Sequence, residues 1–135
     1  KRAAREGLHG VVLSNHGGRY LDSAPSPLQL AAETRAAVGR DFFIAVDSGP
    51  RRGSDIIKAL ACGADMVMSG RPTLYGCAAA GEDGAYRALE IFHEEIDRVM
   101  AQLGLNCLSE VGPQIFWNPP EWVRQVSTEG RFSLQ

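Results

Sequence analysis

The sequence predicts an α/β fold: about three βα units from the C-terminal portion of a (β/α)8 TIM barrel, followed by a C-terminal helix and a tail. Three observations lead there. Short apolar runs recur, each breaks off into a glycine-bearing polar stretch, and helical segments stand between them. Strands alternating with helices argue for parallel packing. Three strands cannot close a barrel, and an eight-unit barrel takes about 250 residues against the 135 here, so the chain reads as a terminal half.

The elements follow in order. Residues 2–6, within KRAAREGLHG, read as the end of a helix whose strand lies outside the chain, and not as part of a signal peptide. GVVL, residues 10–13, is too short for a helix and carries two β-branched residues, so it reads as a buried strand ending at SNHGGR. A helix over 28–38 leads into the second strand, 42–46 (FFIAV), which ends at DSGPRRG. A helix over 54–61, with Ser54 as N-cap and Gly63 as its stop, leads into the third strand, 65–69 (DMVMS). A short helix over 73–80 precedes an amphipathic outer helix over 85–103. There Leu89, Phe92, Ile96, Val99 and Leu103 share one stripe. His93 beside that stripe, and His9, read as partly covered surface imidazoles. Residues 106–135 hold Pro113, Pro119, Pro120, Trp117 and Trp122 without clear periodicity, so a tail packing over another element is expected.

With 44% hydrophobic residues the chain can build a core, which excludes disorder. Fourteen Lys and Arg against sixteen Asp and Glu give a formal charge of -2, so a nucleic-acid partner is not expected and any anion site must be local. Cys62, Cys77 and Cys107 are odd in number and lack CxxC spacing. They read as buried structural thiols in a reducing, cytoplasmic setting, without disulfide or metal. No run approaches the roughly 18–20 apolar residues of a spanning helix.

In α/β barrels chemistry sits where strands give way to loops, and phosphate is often held after the last two strands. After the second strand, Gly49 and Gly53 allow tight turns, Arg51 and Arg52 supply cations, and the helix near Ser54 offers unpaired N–H groups. After the third, Gly70 permits close approach and Arg71 can fork onto phosphate oxygens. Together these make a two-loop phosphate cradle. In Ser14-Asn15-His16-Gly17-Gly18-Arg19 the imidazole can act as a base near neutral pH and the guanidinium can bind a carboxylate. Taken alone, His16 is as readily a loop histidine capping a strand end; the cradle beside it favours an active site with a phosphorylated ligand.

SNHGGRYLD, DSGPRRGSD and GRPTLYG, in that order, resemble the C-terminal half of the FMN-dependent α-hydroxy-acid oxidoreductases, a family that includes glycolate oxidase, lactate oxidase, flavocytochrome-type lactate dehydrogenase and mandelate dehydrogenase. The resemblance covers residues 1–112 as half of an FMN-binding barrel and leaves 113–135 as a C-terminal tail. It implies oxidation of an L-2-hydroxy acid to the 2-keto acid, with His16 as catalytic base and Arg19 on the substrate carboxylate. It also implies that Ser14 contacts the flavin and that Asp47, Ser48, Gly49, Pro50 and Arg51 form its binding stretch. Asp47 would lie near the ribityl chain, Gly49 and Arg51 at the phosphate, and Gly70 and Arg71 in a second phosphate loop. The family's aspartate partner for the base, its substrate tyrosines and its flavin-facing lysine belong to the N-terminal half, so this chain alone is expected to be inactive. Any membrane-contact segment also lies upstream, and family members are often homo-tetramers. Tyr20 replaces the common Gln, and Ser48 stands where many members have Gly. DSG with RRGSD looks closest to the mandelate dehydrogenase branch. Two other readings are a different phosphate-binding barrel enzyme, which gives no reason for the HGGR pair, and a non-catalytic half-barrel that binds a phosphorylated ligand or completes a partner chain. Open strand edges predict self-association.

Overall fold

β-Branched and aromatic residues set three strands side by side. In the computed structural model, which describes residues 1–124, β1 (Gly10–Leu13), β2 (Phe43–Val46) and β3 (Met66–Val67) form one parallel sheet in that order. Val12 stands opposite Ala45, and Ala45 opposite Met66. The α/β class and parallel pairing agree with the sequence reading. β3 is shorter than the expected 65–69 because Asp65 turns its carboxylate to the Ile44 N–H, at 2.8 Å, and to Arg35. The Asp65 and Met68 N–H groups still reach the Ile44 and Val46 carbonyls, each at 2.8 Å.

Strand alternation gives the sheet two unlike faces. Ile44 and Val46 are buried beneath helices α2 (Pro27–Val38) and α3 (Gly53–Ala61), whereas Val12, Phe43, Met66 and Met68 stay exposed. Ala31 and Ala32 of α2 pack with Val46, Ala59, Cys62 and Ala64. Small residues on α2 let it lie close to the sheet. Between α2 and β3, buried Arg35 donates to the carbonyls of Gly63, Gly39, Arg40 and Phe42 and pairs with Asp65 at 2.5 Å.

The short N-terminal helix α1 (Arg2–Arg5) buries nothing. Helix α4 (Arg71–Leu103) joins the two expected helices, starting two residues earlier than 73 and breaking sharply at Ala80 and Gly81 (φ 59°, ψ -138°). Gly76 and Gly84 meet across the break so closely that a Cβ on either would fall within 2.2 Å of the other's carbonyl oxygen.

Several expectations are corrected. Ser54 is not the N-cap: α3 begins at Gly53 with Arg52 ahead of it. Of the apolar stripe, Leu89 and Leu103 are exposed, because a nine-residue α3, roughly 13 Å long, covers only its middle. Phe92 is buried, and Ile96, Val99 and Met100 pack against Ile57, Ala61 and Val111. Cys62 alone among the cysteines is buried; Cys77 lies on the outer surface of α4 and Cys107 in the loop after it, both exposed. His9 and His93 are surface residues as expected, and both are exposed. The chain after α4 does pack over other elements. Val111 enters the α3–α4 core, and Val123 of α5 (Glu121–Arg124) joins Ala31 and Ala32. The part of the expected tail beyond residue 124 lies outside the described residues. Among those described, no helix is long and apolar enough to cross a membrane, and no group of side chains is arranged to hold a metal ion.

Candidate active site

Because parallel strands deliver their C-terminal ends to the same edge, the three polar loops meet. His16, Arg19, Asp47, Ser48, Gly49, Pro50, Arg51, Gly70 and Arg71 all line one open cleft of about 300 Å3. Ser14 does not line it. It stands behind Asp47 and donates a 2.6 Å hydrogen bond to the carboxylate.

The His16 loop is wound by backbone geometry. His16 (φ 54°), Gly17 (φ 70°) and Gly18 (φ 77°) follow one another in the left-handed region, a run that needs glycine at its crowded points. The Asn15 side chain and the Ser14 hydroxyl accept from the Gly17 and His16 N–H groups at 3.0 and 3.1 Å. The exposed His16 ring meets Tyr20 edge-on, with centroids 5.3 Å apart.

Asp47 is held ionised. The Ser14 hydroxyl lowers its pKa most, burial opposes that in part, and hydrogen bonds from Ser48 with His16 nearby add to the lowering. A depressed native pKa contributes stability above the ordinary aspartate range, and that contribution is lost as pH falls through the native value. Ser14→Ala is therefore expected to raise the Asp47 pKa and flatten the fall in stability below about pH 4. NMR titration of Asp47, with urea midpoints across that range, checks both; an unmoved pKa would remove Ser14 as the cause.

One part of the expected cradle is closed. The first N–H of α3 is already taken: Glu95 of α4 accepts from Gly53 N–H at 2.7 Å and pairs with Arg52 at 2.7 Å. Asp55 accepts from the Arg51 and Arg52 N–H groups at 3.0 and 3.1 Å. Gly53 is demanded by this contact, since a Cβ there would lie 2.6 Å from Ile96 N. Asp55, three residues into α3 from Arg52, carries a readable capping signal; Glu95, forty-two residues from Gly53, has no local one. Tyr20, Met68 and Ser69 also line the cleft, and the Ser69 hydroxyl is shut off from solvent without a partner among the described residues.

What remains suits an anion. Arg19, Arg51 and Arg71 line the cleft without a carboxylate partner among the described residues, whereas Arg35, Arg52 and Arg87 are ion-paired. Arg71 reaches back over the His16 loop, its guanidinium 2.9 Å from a Cβ built on Gly17. At Gly49 (φ 110°) and Gly70 nothing among the described residues, apart from the flanking ones, lies within 4 Å of such a Cβ. That leaves room for a ligand against bare backbone. An oxygen-rich dianion among unpaired guanidinium groups fits this arrangement.

The FMN-dependent dehydrogenase family matches residues 1–118. The chain belongs to that family. It is 49% identical over 117 residues to (S)-mandelate dehydrogenase of Pseudomonas putida, covering 87% of this chain and 29% of that protein. A putative L-lactate dehydrogenase of Mycobacterium tuberculosis is 45% identical over 108 residues, covering 80% of this chain and 26% of its own length. The crystal structure of the monotopic membrane protein (S)-mandelate dehydrogenase superposes with a TM-score of 0.83 at 47% identity, over 87% of this chain and 31% of that one. The chain thus spans less than a third of each of these family relatives.

Proposed function

We propose that this chain is the C-terminal half, over 1–112, of an FMN-binding (β/α)8 barrel with a tail at 113–135, and that the complete enzyme oxidises a mandelate- or lactate-like L-2-hydroxy acid to the 2-keto acid. The convergence of three unpaired guanidinium groups and His16 on one cleft carries this reading. Arg51, Arg71 and the backbone at Gly49 and Gly70 would hold the FMN phosphate, and Asp47 the ribityl hydroxyls. Ser48 and Pro50 complete the flavin-binding stretch, and Ser14 would act on the flavin through the Asp47 carboxylate it holds. Bound FMN supplies the two-electron acceptor that no side chain can provide. Arg19 would take the substrate carboxylate through two parallel hydrogen bonds and orient the carbon bearing the hydroxyl. His16 would receive a substrate proton on an imidazole nitrogen as general base.

The uncovered sheet face, with Val12, Phe43, Met66 and Met68 exposed, suits the interior of a barrel completed by an N-terminal half. That half is the partner this reading requires. The small 2-hydroxy acid is the other, nucleic acid has no role, and the full-length enzyme is a homo-oligomer. The location is cytoplasmic, and any membrane association would be made through a segment outside these residues.

The test is a fluorescence titration of the 135-residue chain with FMN, riboflavin and inorganic phosphate. Saturable FMN binding that riboflavin does not match is expected, together with negligible hydroxy-acid-dependent dye reduction by the chain alone. FMN binding no tighter than inorganic phosphate would favour a module for other phosphorylated ligands. Dye reduction by the isolated chain would remove the need for the N-terminal half.

A further inference from the structure

Among the described residues, two that are not glycine adopt a left-handed backbone: His16 (φ 54°) and Ser48 (φ 76°). They stand on neighbouring loops that touch. A serine pays for this conformation where a glycine would not, so a compensating contact is worth seeking at Ser48. Its hydroxyl stands at a junction. It accepts from the Gly17 N–H at 3.1 Å, donates to Asp47 Oδ2 at 3.1 Å, and lies 3.2 Å from Ser14 Oγ. Ser14 Oγ in turn accepts from the His16 N–H at 3.1 Å and donates to the same Asp47 oxygen at 2.6 Å. Two hydroxyls thus anchor two consecutive peptide groups of the His16 loop on one carboxylate. The other acceptor for Gly17 N–H, Asn15 Oδ1 at 3.0 Å, belongs to the same loop. For that peptide group, the Ser48 hydroxyl is the link that crosses between loops.

We propose that Ser48 is a positioning residue: its hydroxyl ties the His16–Gly18 turn to the loop after β2, so that the placement of His16 over the cleft depends on the loop that carries Asp47. The catalytic consequence rests on His16 being the base; the coupling itself does not. Backbone strain and hydroxyl bonding make opposite demands at this residue, and that separates them. Glycine relieves the strain and removes the bond, whereas alanine keeps the strain and removes the bond.

The experiment is amide hydrogen exchange and histidine-ring NMR on the full chain, comparing wild type, Ser48→Gly and Ser48→Ala. Both variants are expected to exchange the Gly17 N–H about fivefold faster, the loss of one net hydrogen bond, while the Tm of Ser48→Ala falls further than that of Ser48→Gly, which is relieved of the backbone strain. The His16 ring resonances, shifted by the edge-on Tyr20 ring at 5.3 Å, are expected to move in both variants towards their positions in Tyr20→Leu. If Ser48→Ala fails to fold, Ser48→Gly carries the test alone, because it relieves the backbone. Unchanged Gly17 exchange and unmoved His16 resonances in Ser48→Gly would overturn the proposal and leave Ser48 as a strained residue only. No flavin enters these readouts, so they stand apart from the FMN titration, whose failure would overturn the cofactor reading instead.

Discussion

Replacing Arg71 with alanine is expected to weaken FMN binding by about 2–3 kcal/mol, roughly 30- to 150-fold, which is the largest effect of any single change in the cleft. The reason lies in how the proposed phosphate site is narrowed. Glu95 and Asp55 accept from the Arg51, Arg52 and Gly53 N–H groups at the start of α3, which leaves that end less to offer an anion. The start of α4 has no side-chain cap, and Arg71 opens it, beside a glycine that leaves the backbone bare. Helix dipole, unpaired N–H groups and guanidinium then act on the same point. Riboflavin, which lacks the phosphate, should bind wild type and Arg71→Ala alike. Arg71→Lys should fall between them, because an ammonium keeps the charge and loses the fork. Raising the salt should narrow the gap between wild type and Arg71→Ala. FMN binding by Arg71→Ala at wild-type strength would leave the phosphate to Arg51 alone and sink the assignment of Arg71.

The parts of the site that were legible in the sequence share one cause. A parallel sheet sends every strand end to one edge, so residues just after GVVL, FFIAV and DMVMS had to meet, and His16, Asp47 and Arg71 do line one cleft. Contacts set by side-chain reach across elements left no such pattern. Glu95 closing α3 and Ser48 bonding Gly17 each depend on rotamers and backbone angles that no periodicity encodes. The helix stripe failed at its ends for a related reason. Amphipathic spacing says which face is apolar, not how far the neighbouring helix extends, and Leu89 and Leu103 lie where α3 gives no cover.

Arg35→Ala is expected to cost about 3–5 kcal/mol, a large share of the 5–15 kcal/mol that holds an ordinary domain together. Arg35 is 7% exposed and serves four carbonyls and one carboxylate at once. Removing it leaves the Gly63, Gly39, Arg40 and Phe42 carbonyls without that donor and Asp65 without its counter-charge. Asp65 is about a third exposed, so water recovers part of the loss on that side and little on the carbonyl side. The carbonyl bonds should therefore dominate. A double-mutant cycle with Asp65→Asn, read by urea midpoints, apportions them: Asp65→Asn alone should cost less than Arg35→Ala, and Arg35→Lys should recover little, because one ammonium cannot span the same acceptors. Gly63 belongs to the same staple, since a Cβ there would lie 2.8 Å from the Arg35 Cβ. Helix α2 and strand β3 meet through this residue, and β3 leads directly into Gly70 and Arg71. A loss below about 1 kcal/mol, in the range of an exposed pair, would mean that the packing of Ala31 and Ala32 against the sheet holds β3 in place without it.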